Sequence, residues 1–174
     1  ITAQQLESAI TDKTKMLMLN SPNNPSGSVF TEQEYLEFSK VLLKYPNIII
    51  VSDEIYEHIN YGVKSVSFAS LPGMFDRTVT VNGISKAYAM TGWRIGYLGA
   101  PKVIAKACNK MQGQITSGAN CIAQRATIKA LEESPEKIQY MVDEFKIRRD
   151  FIIDLVTKIN GFNIKQPPMG AFYI

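Results

Sequence analysis

Three short stretches of this chain hold side chains that could do chemistry. The first is Asn23-Asn24-Pro25-Ser26-Gly27, where Pro25 and Gly27 would stiffen a turn and aim the Asn24 amide into a cleft. The second is Ser52-Asp53-Glu54-Ile55-Tyr56, which directly follows the apolar run Ile48-Ile49-Ile50-Val51. A carboxylate at Asp53 would be partly desolvated and would need a cationic or hydrogen-bonding partner. Tyr56 comes three residues later, on the same side as Asp53 if the chain turns helical. The third stretch runs from Ser85-Lys86 to Trp93-Arg94. Burial just past a core strand would lower the lysine pKa and make its amine nucleophilic. Arg94, assisted by the Ser85 hydroxyl, could bind a phosphate with two parallel hydrogen bonds. Each stretch alone has a plainer meaning: a turn at Asn24, a capping carboxylate at Asp53, a surface pair at Ser85-Lys86.

These side chains can act together only if the elements between them bring three loops to one place. Thr2 with Gln5 is a capping box that opens a helix to about Ile10, and Thr31 with Glu34 opens another to about Lys44, before Pro46. Lys15–Leu19 predicts a short buried strand. Ile48–Val51, β-branched at every position, predicts a parallel strand buried on both faces. Arg77–Val81 and Ile95–Gly99 predict two more. Beyond Pro101 the pattern is helical, over Val103 to about Thr116 and Ile122 to Leu131. A long helix follows from Ser134-Pro135 to Asn160, with an apolar stripe of Ile138, Met141, Val142, Phe145, Ile152, Leu155, Val156 and Ile159. Phe162–Ile164 and Ala171–Ile174 read as strands of a second unit. The alternation predicts an α/β fold with a mainly parallel sheet and helices on both faces. Ligands in such folds sit beyond the carboxyl ends of the strands, here the loops after Leu19, Val51 and Val81.

A lysine nucleophile, a carboxylate, a phenol, an amide and an arginine–serine pair are the set needed to hold pyridoxal 5'-phosphate. The three motifs, in this order, resemble those of the fold-type I pyridoxal phosphate aminotransferases, class I/II, the aspartate and aromatic aminotransferase group. The stretch Ser85-Lys86-Ala87-Tyr88-Ala89-Met90-Thr91-Gly92-Trp93-Arg94-Ile95-Gly96 is the most specific, and Pro168-Met169-Gly170-Ala171-Phe172-Tyr173 extends the resemblance to the end of the chain. The resemblance implies that Lys86 forms the Schiff base and shuttles the substrate proton. It implies that Asp53 pairs with the pyridine nitrogen, that Tyr56 and Asn24 bind the ring hydroxyl, and that Ser85 and Arg94 hold the phosphate. Gly83 stands where some relatives carry a serine, which removes one possible phosphate contact. The implied activity is transfer of an amino group between an amino acid and a 2-oxo acid, of aspartate type, in a homodimer. A carbon–sulfur lyase of the same fold, or a non-catalytic sensing domain of a transcriptional regulator, would share these cofactor residues.

Such proteins are more than twice as long as this chain. The resemblance therefore implies that residues 1–134 are part of a large cofactor-binding domain and residues 135–174 a connecting helix and the first strands of a small domain. A phosphate loop, a stacking aromatic ring and a substrate-binding arginine would lie outside this stretch, which alone is expected to be inactive. The 174 residues carry 19 Lys plus Arg against 16 Asp plus Glu, a net charge of +3, too small to argue for nucleic acid or an anionic membrane. No apolar run approaches a membrane span. Cys108 and Cys121 have no metal-ligand spacing and, with His58 the one histidine, a metal site is not expected. Two free thiols fit a cytoplasmic setting. His58 and Glu54 read as structural or solvated, Trp93 as a core residue. Gln112–Asn120 is either a subunit-interface segment or an ordinary loop.

Overall fold

The computed structural model describes residues 1–174. Both capping boxes form. The Thr2 hydroxyl accepts from the Gln5 N–H at 3.2 Å while the Gln5 side chain accepts from the Thr2 N–H at 2.8 Å, which starts α1 (Ala3–Ala9). Thr31 and Glu34 do the same for α2 (Glu32–Leu43), with 3.2 and 2.7 Å contacts. Four strands follow the predicted runs to within two residues: β1 (Met16–Asn20), β2 (Ile49–Asp53), β3 (Thr78–Gly83) and β4 (Gly96–Gly99). They form one sheet in the order β1-β2-β3-β4, parallel throughout except that β4 runs antiparallel to β3. The helices α3 (Lys102–Ile115), α4 (Cys121–Glu132) and α5 (Gln139–Val156) complete the chain.

The main core lies between one sheet face and the first two helices. On α2, Tyr35, Phe38, Val41 and Leu42 recur at helical spacing and are all buried, against Leu6, Leu19, Ile48, Ile50, Phe68, Leu71 and Met74. Phe30, Tyr35, Phe38 and Phe68 interlock as tilted and edge-to-face rings with centroids 5.0–6.3 Å apart. The opposite sheet face is less covered than expected. Met16 and Met18 are exposed, Ile49 and Val51 are half-buried, and every residue of β4 is exposed. Within this chain β2 is therefore fully buried on one face and half-buried on the other.

Three further expectations change. The long helix is shorter: Ser134 caps a single 3-10 turn over Pro135–Ile138, and α5 then runs 18 residues. Along its apolar stripe Val142 is buried, Ile138, Met141, Phe145 and Val156 are half-buried, and Ile152, Leu155 and Ile159 face solvent. The strands expected at Phe162–Ile164 and Ala171–Ile174 do not form. Instead the terminal segment makes one antiparallel bridge, Gly170 to Asn60, and lies against the first part of the chain. Pro167 and Pro168 lack N–H donors, and Ala171 sits at φ +54°, so the backbone cannot extend a ladder there.

Two buried polar groups brace the framework. The Arg77 guanidinium donates to the carbonyls of Leu42 (3.0 Å), Tyr45 (2.7 Å) and Ile48 (3.0 Å), which ties the end of α2 and the turn before β2 to the start of β3. Glu54 is 5% exposed, and one of its oxygens accepts from the Ser52 hydroxyl (2.8 Å), the Ser67 hydroxyl (3.0 Å) and the Phe68 N–H (3.1 Å). Burial pushes the Glu54 carboxyl above its ordinary range, and the three donors oppose that push only in part.

Two predictions follow from these braces. Arg77→Lys keeps the charge but cannot span three divergent carbonyls, so denaturant titration of the intact protein is expected to show a loss of about 1–3 kcal/mol. For Glu54, the folded pKa lies above the unfolded one, so stability is fully present below the unfolded pKa and declines as pH rises through the folded value. Glu54→Gln keeps the acceptor oxygen and cannot ionise. Its stability relative to the native protein is expected to improve between about pH 4 and about pH 7, measured by denaturant titration at both.

Candidate active site

Parallel pairing sets the level at which three loops leave the sheet. Asn20 pairs with Asp53, and Asp53 with Val81, so β1, β2 and β3 release their chains side by side. Asn20 then binds two of the loops together. Its side-chain oxygen accepts from the Asn24 N–H at 2.8 Å and the Asn23 amide at 3.2 Å, and its own amide donates to the Asp53 carbonyl at 3.2 Å. The loop is closed by Gly27 N–H to the Asn23 carbonyl (2.8 Å) and Ser26 hydroxyl to the Asn23 side chain (2.7 Å). Asp53 steadies the next turn by accepting from the Ile55 N–H at 3.2 Å.

Tyr56 is almost fully buried, with its hydroxyl 2.6 Å from the Tyr173 hydroxyl. Burial pushes its phenol far above the ordinary value; the Tyr173 hydroxyl and the charge of Asp53 add to this, and a hydrogen bond from Asn24 opposes it. Tyr56 is therefore a neutral phenol with Asn24 and Asp53 facing it. Lys86 is half-buried on the turn after β3, held by the buried neighbours Ile84 and Ala87. Its Nζ lies 5.6 Å from the ring centroids of both Tyr56 and Phe172, which meet edge to face at 5.5 Å. Gly83 lets this turn start against β4: a Cβ there would stand 2.9 Å from the Ile95 carbonyl oxygen. The structure thus gathers Lys86, Tyr56, Asn24 and Asp53. Ser85 is half-buried beside Lys86.

Arg94 is exposed, in the left-handed region at φ +56°, and its guanidinium donates to the Thr91 carbonyl at 2.8 Å. It lines a cavity of about 1170 Å³ between β4, α3 and α4, together with Asn82, Trp93 and Gln112. No hydrogen bond joins it to Ser85. Trp93 is 44% exposed and not the core residue expected, because its 3-10 turn stands at the mouth of that cavity. Glu54 is a structural cap, as described. His58 is half-buried, 3.5 Å from the Glu57 carboxylate and edge-on to Tyr88 at 6.3 Å. Cys108 lines the cavity and Cys121 is exposed. No group of three or more His, Cys, Asp or Glu side chains could hold a metal ion, and no helix is long and apolar enough to cross a membrane.

Residue-by-residue reading of the sequence missed the contribution of the chain's last residues. Met169 and Gly170 both donate to the Gly27 carbonyl at 2.9 Å, Ala171 donates to the Ile59 carbonyl at 2.8 Å, and the Tyr61 hydroxyl donates to the Ala171 carbonyl. Arg149 of α5 clamps the same strap, donating to the Pro168 carbonyl at 2.9 Å and stacking 4.6 Å over the Tyr61 ring. The strap thereby delivers Phe172 to Lys86 and Tyr173 to Tyr56. A glycine flanked by prolines and an aromatic pair was the available signal. For Asn20, the signal was an amide at the end of an apolar strand.

The donor set fits the ring end of pyridoxal phosphate: an amine, a carboxylate, and a neutral phenol beside an amide, all at one end of the sheet. The sequence model for aminotransferase class I and II matches residues 1–174. The chain is 47% identical over 173 residues to a bifunctional aspartate aminotransferase and glutamate/aspartate-prephenate aminotransferase of Petunia hybrida, covering 97% of this chain and 36% of that protein. It is 43% identical over 175 residues to an aspartate aminotransferase of Rhizobium meliloti strain 1021, covering 99% and 42%. The crystal structure of the aspartate aminotransferase from Rhizobium meliloti aligns at a TM-score of 0.95 and 42% identity, over 98% of this chain and 43% of that one. The aromatic aminotransferase from Pyrococcus horikoshii aligns at 0.92 and 36%, over 98% and 46%. The chain therefore spans less than half the length of these relatives.

Gly27 offers a test of the strap. It sits at φ +66°, and a Cβ would lie 2.9 Å from the Gly170 carbonyl oxygen and closer still to Pro168. In the intact protein Gly27→Ala is expected to cost about 1–3 kcal/mol in denaturant titration, through strain and displaced backbone. Limited proteolysis is expected to cut first near residue 168.

Proposed function

The chain belongs to the class I and II aminotransferases, and from that premise we propose that the protein containing it moves an amino group between an amino acid and a 2-oxo acid with pyridoxal 5'-phosphate held at Lys86. The observation that carries this reading is the grouping of Lys86, Tyr56, Asn24 and Asp53 at the carboxyl end of the parallel strands. When bound, pyridoxal phosphate supplies an electron sink for the charge left by removing a substrate α-proton. Asp53 would hold a proton on the ring nitrogen by its negative charge. Tyr56 and Asn24 would donate to the ring hydroxyl. Ser85 and Arg94 would take the phosphate, Arg94 after releasing the Thr91 carbonyl. Lys86 would hold the cofactor and, once freed by substrate, carry the α-proton as a general base and acid. The apolar faces of Tyr56 and Phe172 beside its Nζ shield one side of that amine from water.

Aspartate is the amino donor we infer, because two relatives are named for it. Residues 1–134 would belong to a cofactor-binding domain and residues 135–174 would lead into a second one, within a cytoplasmic homodimer.

The test is borohydride trapping of the intact protein with pyridoxal phosphate, followed by digestion and mass analysis. Label at Lys86 is expected, and none in Lys86→Ala. With aspartate and a 2-oxo acid, Lys86→Ala is expected to lower the transfer rate by at least about 100-fold. Release of a thiol from a sulfur amino acid without amine transfer would favour the lyase reading. Cofactor binding without turnover of any amino acid would favour a sensing domain.

A further inference from the structure

The Tyr56 hydroxyl has a second phenol for a neighbour, and the reading above gives that phenol no task. Tyr173 lies 117 residues away in sequence, yet its hydroxyl sits 2.6 Å from that of Tyr56, with the rings edge to face at 5.9 Å and 78°. The contact is built rather than incidental. Tyr173 ends the strap, whose backbone is fixed to Gly27 and Ile59 by three hydrogen bonds of 2.8–2.9 Å and whose Ala171 carbonyl is held by the Tyr61 hydroxyl. Phe172 next to it packs on Phe145 of α5 at 5.3 Å.

A phenol carries one proton and two lone pairs. At Tyr56 one lone pair is left to the Asn24 amide, which acts on the same hydroxyl. If Tyr173 donates into the other, the single Tyr56 proton must point in the remaining direction. We propose that Tyr173 is a positioning residue that commits the Tyr56 hydroxyl proton to the cofactor's ring oxygen, through the direct contact between the two hydroxyls. This rests on the pyridoxal phosphate reading above. The polar and charged groups around Tyr56 come from four elements: Asn24 from the first loop, Asp53 from β2, Lys86 over the ring from the turn after β3 and Tyr173 from the strap. Of these, Tyr173 is the uncharged hydroxyl able both to give and to accept a proton, so it can accept from Tyr56 when no ligand is bound and donate to it when one is.

The chain's own chromophore with the cofactor supplies the readout. A donor to the ring oxygen stabilises its anionic form, so weakening that donor raises the pH at which the Lys86-bound cofactor changes colour. In the intact, cofactor-loaded protein, Tyr173→Phe is expected to raise this spectroscopic midpoint by about half a unit or more, with the thermal midpoint of unfolding nearly unchanged. Tyr56→Phe is expected to raise it further, and Tyr173→Phe added to Tyr56→Phe to produce no additional shift. In the cofactor-free protein the same pair is expected to show non-additive thermal shifts, as contacting residues do. An unmoved midpoint in Tyr173→Phe overturns the proposal. So does an equal shift in the Tyr56→Phe background, which would mean that Tyr173 acts without Tyr56. Absence of borohydride label at Lys86 in the native protein would instead overturn the cofactor reading, and this inference with it.

Discussion

Everything at this site depends on the parallel register of three strands. Backbone hydrogen bonds place Asn20, Asp53 and Val81 side by side, and no side chain can alter that without breaking the ladder. Three loops that are tens of residues apart in sequence therefore begin at one edge of the sheet. The antiparallel β4 then returns the third loop, carrying Lys86 and Arg94, along β3. That return requires close approach at Gly83, where a side chain would meet the backbone of Ile95 and Gly96. Register supplies the coarse position of each functional group, and local hydrogen bonds supply its aim.

The aiming devices are polar and small. Asn20 links the Asn24 loop to the Asp53 backbone with one side chain that both accepts and donates. The strap from Pro168 to Tyr173 is held by main-chain donors as well as by burial of Ala171 against Ile59 and Tyr61, so its backbone lies close to that of the first loop. That explains why it needs glycine at positions 27 and 170, where a Cβ would strike Pro168 or Pro22. Once seated, the strap presents aromatic faces to an amine and a hydroxyl to a phenol. Such an arrangement favours a neutral Tyr56 and shields one side of Lys86 from water.

The same chain shows two ways of burying a polar group. Arg77 spreads its donors over three carbonyls of a helix end and a turn, so the buried charge is hydrogen-bonded on every side the framework offers. Glu54 concentrates three donors on one oxygen, and its carboxyl still titrates above the ordinary range. The broad apolar exposure on β4, α3 and the outer part of α5 is of a different kind. It accords with a chain that spans less than half of its relatives' length.

Local physics was legible in the sequence. The capping boxes at Thr2 and Thr31, the β-branched run at Ile48–Val51 and the spacing of Tyr35, Phe38, Val41 and Leu42 depend on neighbours within a few residues. Side-chain type marked Lys86, Asp53, Tyr56, Asn24, Ser85 and Arg94 as chemically useful, because an amine, a carboxylate and a phenol keep their character wherever they stand. Non-local packing was not legible. Nothing near Ala171–Ile174 reveals that this apolar run folds as a strap, since its partners are Gly27, Ile59 and Tyr61, more than 100 residues earlier. Nor does the amphipathic stripe of α5 reveal that Val142 alone is fully buried and that Ile152, Leu155 and Ile159 stay exposed, because periodicity states which face can be buried and not whether another element lies over it. The pairing of Tyr56 with Tyr173, and of Lys86 with Phe172, exists only in three dimensions: it needs the strand register and the strap to be in place together.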